Sequence, residues 1–387
     1  MLFKRIDTDI LFSFKKKLEN LNFNSKTINS ISGKQLTRYV RISPREEFLL
    51  LTQVLHEDQT LLDLVKFFLL AYPIPKKSFV KYFNSRIFQH FLDLGIISVD
   101  GKDAYFSAFL TPLNGKYFLN DGDPEIKPER HVFAISQEQP YLIEACNILL
   151  QKNKDCDQIL DICSGSGVIG QSLDVNNAKL YGVDINQRAV SYARFNALIN
   201  KVDSNYSLLD ITKNRPDLSF DVVVSNPPYN SIIDDIVSKE ELDVTVHSGL
   251  FGDRVPNRIL DISYNILNDN GVFAYIGAWL MKDGKLAHSQ FEHLSTNGTL
   301  TLIHQPIVNI QSWEGLRRLY SLSPNFRKIP NGYLFKKIKE ANYFNQVTWG
   351  ILLYKKDGNP GFHKIYNVST DAVLIPEYVR DRLSDIY

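Results

Sequence analysis

The chain is short of the features that staple small secreted domains. Its 387 residues include three cysteines, Cys146, Cys156 and Cys163. The number is odd and no spacing is Cys-x-x-Cys, so neither a disulfide framework nor a zinc site is indicated. An excess of charge is missing too, since 44 Lys plus Arg stand against 43 Asp plus Glu. A protein whose main task is wrapping nucleic acid is usually far more basic, because phosphate neutralisation supplies most of that affinity. A local basic patch stays open. No apolar run approaches the ~20 residues of a membrane span. The opening Met1-Leu-Phe-Lys-Arg-Ile-Asp puts charges where a secretory signal needs its apolar stretch. The eight histidines make no His-x-x-x-His pair and no cluster with acids at metal spacing, so no metal is expected. Repeats and low-complexity tracts are absent. What is there, 44% hydrophobic and 22% charged, is ordinary globular composition at a length for two or three domains. The expectation is a soluble, cytoplasmic protein with its own core.

Residues 1–135 read as a mostly helical domain that turns to strand. Leu61, Leu62, Leu64, Val65, Phe68 and Leu69 lie on one helical face, and Pro73 and Pro75 stop it. A second amphipathic stretch runs from Lys77 to Leu94. Ala104–Leu110 and Lys116–Leu119 then flank Asn114-Gly115, a dipeptide that suits a tight hairpin because both turn residues need positive φ. Helices followed by a hairpin fit a winged-helix-like module, or equally a helical cap with a β-ribbon. The polar stretch Asn120–Arg130, with Gly122, Pro124 and Pro128, reads as the linker.

Residues 136–357 alternate strand and helix. Gln158–Cys163, Ala178–Asp184, Asn205–Asp210, Phe220–Ser225 and Gly271–Gly277 read as strands. Helical runs start at Val168, span 187–200 and cover about 256–267. This pattern predicts a doubly wound α/β domain, a parallel sheet with helices on both faces. Leu300–His304 and Val347–Tyr354 are later strands, separated by an insert at 308–340. Its Arg317, Arg318, Arg327, Lys328, Lys336, Lys337 and Lys339 are a solvated face, or else a lid or contact for an acidic substrate. Residues 358–387 are expected as a tail.

Two motifs carry chemistry. Asp161-Ile-Cys163-Ser-Gly165-Ser166-Gly167-Val-Ile-Gly170 sits where a strand becomes a helix. Its glycines let the backbone turn sharply and approach a ligand at the helix N-terminus. Asp184 closes the next strand, where a carboxylate can accept both hydroxyls of a ribose. The pair points to a bound adenosine. The glycine spacing also matches a dinucleotide fingerprint, but the acid at Asp161 suits a cationic amino acid better than a pyrophosphate. That favours S-adenosylmethionine over NAD. The second motif, Asn226-Pro227-Pro228-Tyr229, follows a strand directly. Two prolines fix φ twice and remove two N–H donors, leaving acceptors. The Asn226 side chain and the Pro227 carbonyl can each take one N–H of a planar amino group, with Tyr229 stacked on its plane. Orientation then supplies much of the rate.

These residues together resemble the class I S-adenosylmethionine-dependent methyltransferases of the amino-methylating branch. That branch includes release-factor glutamine, adenine-N6 and guanine-N2 enzymes. Val183-Asp-Ile-Asn-Gln-Arg-Ala-Val, Phe195-Asn-Ala-Leu-Ile-Asn and Ser248-Gly-Leu-Phe-Gly-Asp-Arg-Val look like the release-factor subgroup. The resemblance covers roughly 136–280 and implies a Rossmann-like methyltransferase sheet, S-adenosylmethionine as cofactor and methyl transfer to nitrogen. It implies that Asp161, Gly165, Ser166, Gly167, Asp184 and Asn226 line the cofactor, with Cys163 packed beside it. Asp210 would meet the adenine amino group and Ile185 would pack on the ring, while Asn226, Pro227 and Tyr229 would orient the acceptor. The acceptor stays open between a protein, a nucleic-acid base and a small metabolite. A NAD-dependent oxidoreductase lacks an acid–base residue tied to the fingerprint, and a catalytically silent module sits badly with an intact acceptor motif. Trp279 either lines the pocket or is core.

Overall fold

The computed structural model describes residues 6–32, 58–121, 131–136, 138–151, 156–175, 177–231, 248–310, 312, 315, 331–367 and 375–387. Residues 122–130 of the expected 120–130 linker and Arg317, Arg318, Arg327 and Lys328 of the insert lie outside them, whereas Asn120 ends a strand and is not linker. Contacts divide the chain into two units. One holds Met1–Gln137, Gly165–Ser172 and Asn186–Tyr206; the other holds Glu138–Ser164, Leu173–Ile185 and Ser207–Tyr387.

The first unit begins with helices Thr8–Asn20, Ser25–Ser32 and Gln59–Leu69. The Asp7 side chain accepts from the Asp9 and Ile10 amides and Asp58 from that of Leu61, filling donors that a helix start leaves unpaired. Phenylalanines dominate its core, with Phe14 edge-on to Phe91 at 4.6 Å and Phe68 edge-on to Phe106 at 5.0 Å between centroids. The stretch expected as one helix from Lys77 to Leu94 is two, Lys76–Phe83 and Ser85–Asp93. Asn84 separates them with φ +74, and its side chain accepts from the Ile87 amide at 3.0 Å. Asparagine tolerates left-handed backbone and caps the next helix. Phe79, Phe83, Ile87, Phe88 and Phe91 are buried on both sides of the break, so the apolar period runs across it unbroken.

Strands β1 (Ile74–Pro75), β2 (Ile97–Asp100) and β3 (Asp103–Phe106) form an antiparallel sheet in the order β1-β3-β2. β4 (Phe109–Leu113) and β5 (Lys116–Asn120) form the expected hairpin, with φ +48 at Asn114 and +75 at Gly115. Ala104–Leu110 is not one hairpin arm, because β3 pairs with β1 and β2 while β4 pairs with β5. Between them the Ser107 hydroxyl donates to the Ile96 carbonyl at 3.0 Å and ties the corner down.

Helix Gln187–Asn200 also belongs to this unit. Asn196 and Asn200, four residues apart on one face, bond the backbone of β5. The Leu119 amide donates to Asn196 Oδ1 at 2.7 Å, and Asn196 Nδ2 donates back to the Leu119 carbonyl at 3.0 Å. Tyr117 and Asn200 exchange the same pair at 2.9 Å each. Side-chain amides therefore take the place of a neighbouring strand along this edge. Asn200→Ala leaves one buried N–H and one buried C=O unpaired, so it is expected to cost about 2 kcal/mol. A lower denaturant midpoint at unchanged slope would report that loss, and an unchanged midpoint would contradict it.

In the second unit the strands are β6 (Gln158–Ile162), β7 (Lys179–Asp184), β9 (Phe220–Ser225), β10 (Leu267–Lys282), β12 (Thr299–His304), β14 (Gln346–Lys355) and β15 (Gly361–Tyr366). β8 (Ser204–Leu208) lies between β7 and β9 in sequence, and the two-residue β11 (Lys285–Leu286) and β13 (Val308–Asn309) pair with β10 and β14. The sheet order is β15-β12-β14-β10-β9-β6-β7. β7, β6, β9 and β10 run parallel, as expected. The sequence left the direction of the late strands open: β14 is antiparallel to β10 from Val272↔Lys355 to Met281↔Gln346, and β12 is antiparallel to β14. A strand buried on both faces reads as one apolar run whichever way it points. The fold is thus a mixed-sheet, Rossmann-like α/β core with an N-terminal, mostly helical extension.

Both sheet faces are covered. Leu160, Ile162, Val223, Phe273 and Leu352 pack with residues of helices Arg254–Ile266 and Gln290–Asn297. Helix Glu138–Leu150 lies against β10 and β14. The stretch 358–387, expected as a tail, supplies strand β15 and a closing helix, Glu377–Ile386. That helix packs on Glu138–Leu150, and Arg380 pairs with Glu144. Among the described residues no helix is long and apolar enough to cross a membrane.

Candidate active site

Parallel strands bring their carboxyl ends to one edge. The register pairs Ile162 of β6 with Val183 of β7 and Ser225 of β9, and pairs Ser225 with Tyr275 of β10. Cys163, Asp184 and Asn226 therefore each come one residue past the same row. Asp184 ends the strand on one side of β6 and Asn226 follows the strand on the other, so their backbones are about 10 Å apart from strand spacing alone. In open α/β sheets this edge is where ligands bind.

Three carboxylates gather there. Asp161 is fully buried in β6, and Asp184 ends β7. Burial pushes the Cys163 thiol well up, and the charges of Asp184, Asp161 and Asp210 push it further in the same direction. Both effects disfavour the thiolate, the form in which a cysteine acts as a nucleophile. The main-chain carbonyl of Asp184 accepts from the Leu209 amide at 2.9 Å. Asp210 does not end the third strand as expected; it lies two residues beyond β8. Its Oδ1 accepts from Thr212 Oγ1 at 2.6 Å and from the Thr212 amide at 3.0 Å, and its Oδ2 pairs with Lys213 at 3.0 Å. The Thr212 hydroxyl, followed by the Lys213 contact, holds this carboxyl below its usual range against the opposing effect of burial. Ile185 is 53% exposed, a large apolar side chain left uncovered next to Asp184.

Gly165–Gly170 of the glycine loop fall in the first unit, and the glycines there do different jobs. Gly165 has φ +52, and a Cβ there would meet nothing within 4 Å. Conformation alone requires glycine, and that side of the loop is open. Gly167 has φ +76, and a Cβ would fall 2.6 Å from both Gln171 Nε2 and Tyr206 Oη. There packing excludes a side chain. Ser166 is buried, and its carbonyl accepts from Asn196 Nδ2 at 2.8 Å.

At the Asn-Pro-Pro-Tyr turn, Pro227 is buried while Asn226 and Tyr229 are half-buried. The Tyr229 hydroxyl donates to Glu138 Oε1 at 2.6 Å, and Asn226 Nδ2 donates to Glu138 Oε2 at 3.4 Å. Trp349 Nε1 donates to the Tyr229 hydroxyl at 3.2 Å. The Ser248 to Val255 segment backs the turn. The Ser248 amide bonds the Asn230 carbonyl at 2.9 Å, and a Cβ on Gly252 (φ +76) would collide with the Tyr229 carbonyl oxygen.

Glu138 and Trp349 escaped the sequence reading. They stand 88 residues from Asn226 and 120 from Tyr229 respectively. In sequence Trp349 reads as one more aromatic of an apolar strand; only the structure leaves it half-exposed among buried neighbours in β14. Trp279 is core, not pocket wall: it is 3% exposed, packs on Phe291 and donates to the Gly350 carbonyl at 3.0 Å. Lys336, Lys337 and Lys339 of the insert lie on helix Asn331–Ala341. Lys336 is 75% exposed and loosely paired with Glu340, which fits a solvated face.

Residues 142–240 match the methyltransferase small domain family. The release factor glutamine methyltransferase of Lactococcus lactis is 33% identical over 193 residues, covering 48% of this chain and 69% of that protein. The enzyme of the same name from Flavobacterium psychrophilum is 32% identical over 137 residues, covering 33% of this chain and 48% of its own length. The crystal structure of the M. jannaschii tRNA m1G37 methyltransferase is 13% identical, covers 65% of this chain and 57% of that one, and has a TM-score of 0.35.

Proposed function

The chain belongs to the class I S-adenosylmethionine-dependent methyltransferases, in the release-factor glutamine branch, and from that premise we propose that it methylates the side-chain nitrogen of a glutamine in a protein. Its cofactor is S-adenosylmethionine, which when bound supplies an electrophilic methyl group on a cationic sulfonium. The donor set fits a cation, because the carboxylates of Asp161 and Asp184 stand on neighbouring parallel strands at this edge of the sheet. We assign Asp161 to the cofactor's amino group, Asp184 to its ribose and Ile185 to its ring. Gly165, Ser166 and Gly167 give it a close backbone approach. Asp210 is assigned to the adenine amino group, a role that competes with its bonds to Thr212 and Lys213.

Asn226, Pro227 and Tyr229 are assigned to the acceptor. A carboxylate only accepts hydrogen bonds, so the Asn226 NH2 must face Glu138. Its Oδ1 is then left for an N–H of the acceptor, and the Pro227 carbonyl is suited to a second. Two such acceptors hold a planar amide nitrogen in one orientation, and orientation is the main contribution these residues make. The observation that carries this reading is the register, which brings Asp184, Cys163 and Asn226 to one row of the sheet edge. The amide acceptor itself comes from the named activity of the relatives.

The test is incubation with tritiated S-adenosylmethionine and a whole-cell protein extract, followed by enzymatic hydrolysis. Label is expected in N5-methylglutamine. Label confined to nucleic acid, or to the small-molecule fraction, would replace the protein acceptor. Label released as a carboxyl ester would overturn transfer to nitrogen.

A further inference from the structure

We infer that Glu138 is a positioning residue for methyl transfer: its carboxylate fixes which end of the Asn226 amide meets the acceptor and locks Tyr229 beside it. The inference rests on the reading that Asn226 accepts a hydrogen bond from the acceptor nitrogen. An asparagine amide has a donor end and an acceptor end that are nearly equal in size. Left alone, it can turn either one toward a ligand. Facing an N–H with its own NH2 would set two donors against each other, so the site needs something that selects one state.

Glu138 does this with both oxygens. Oε2 takes the Asn226 NH2 at 3.4 Å and Oε1 takes the Tyr229 hydroxyl at 2.6 Å. The side chain spans the two functional residues of the motif and is held at both ends. The clamp also has a support. Trp349 donates to the Tyr229 hydroxyl at 3.2 Å, and its ring lies stacked on Tyr141 at 6.2 Å and 19°. Tyr141 stands three residues after Glu138 on the same helix, so the two share a face. The Tyr141 hydroxyl in turn accepts from Asn367 Nδ2 at 2.8 Å. One helix, starting at Glu138, thus carries the clamp and the platform behind it.

The substitution Glu138→Gln keeps the shape and changes the hydrogen-bond logic. The new amide oxygen can still accept from Tyr229, but the new NH2 then faces Asn226, which must turn over and offer its own NH2 to the acceptor. Adding Asn226→Asp reverses the pair. The introduced glutamine donates to one oxygen of the introduced aspartate, whose other oxygen is free to accept the acceptor N–H. The charge of the pair is unchanged. A role confined to stability would make the double variant worse than either single one.

The experiment measures methyl transfer from tritiated S-adenosylmethionine to a tryptic peptide pool from whole cells, with the full chain. Glu138→Gln is expected to lower kcat about a hundredfold, with S-adenosylhomocysteine affinity within about twofold of wild type. Glu138→Gln/Asn226→Asp is expected to recover about tenfold or more of that loss. A double variant no faster than Glu138→Gln overturns the inference. A second arm needs no turnover. In the 15N-labelled full chain, the assigned Asn226 side-chain amide signals are expected to move in Glu138→Gln, and unmoved signals overturn the contact. If the wild-type chain labels no glutamine, the acceptor reading fails while this arm still decides the role of Glu138.

Discussion

Replacing Asn226 by alanine is expected to cut turnover about a hundredfold while leaving the affinity for S-adenosylhomocysteine within about twofold. The split follows from where Asn226 sits. It is the first residue past β9, and its NH2 is committed to Glu138, so only its oxygen faces the reaction. On the proposed reading, removing that oxygen takes away one of the two acceptors assigned to the substrate nitrogen. Loss of alignment of this kind typically costs about 10²-fold. The prolines that shape the turn remain, so the fold and the cofactor's surroundings should persist. Single-turnover rates measured beside calorimetry test this. An equal drop in rate and affinity would move Asn226 from acceptor to cofactor, and an undiminished rate would remove it from the site.

Asp184→Ala is expected to act on the other partner. A carboxylate at the end of β7 can accept two ribose hydroxyls, and charge-assisted hydrogen bonds contribute about 1.5–3 kcal/mol each. The alanine variant loses both, so S-adenosylmethionine is expected to weaken about 100-fold or more. Asp184→Asn keeps an acceptor and should fall between alanine and wild type. A second readout comes from Cys163. Asp184 is the foremost of the charges that raise its thiol. Removing that charge should lower the thiol pKa, so alkylation of Cys163 at a fixed pH should speed up. Burial, the larger cause, stays in place, so the thiol remains above its ordinary value. Calorimetry showing unchanged affinity in the alanine variant would sink the assignment to the ribose.

The parts of this protein legible in the sequence are those whose cause is local. Asn114-Gly115 specifies its turn because both residues must take positive φ, and they do. The glycine loop follows β6 because a short apolar run gives way to Gly165 and Gly167, and Asp184 ends β7 because the run stops at a polar residue just before Asn186 caps a helix. Asn226-Pro-Pro-Tyr229 follows β9 directly because two prolines cannot donate to a strand ladder. The break at Asn84 was also local, but an apolar period continuing on both sides hid it.

Only the tertiary structure decided how the late strands pair, since buried runs such as Leu300–His304 carry no mark of direction. It revealed that Asp210 is held in its own turn by Thr212 and Lys213, and that Trp279 is core. It also brought Glu138 and Trp349 to Tyr229. Local pattern fixes backbone conformation and the face a side chain takes. Which distant residue fills the space beyond that face depends on how sheet and helices pack. Glu138 reads in sequence as one more acid in the first turn of a helix, and it becomes part of the site only when that helix lies across β10 and β14.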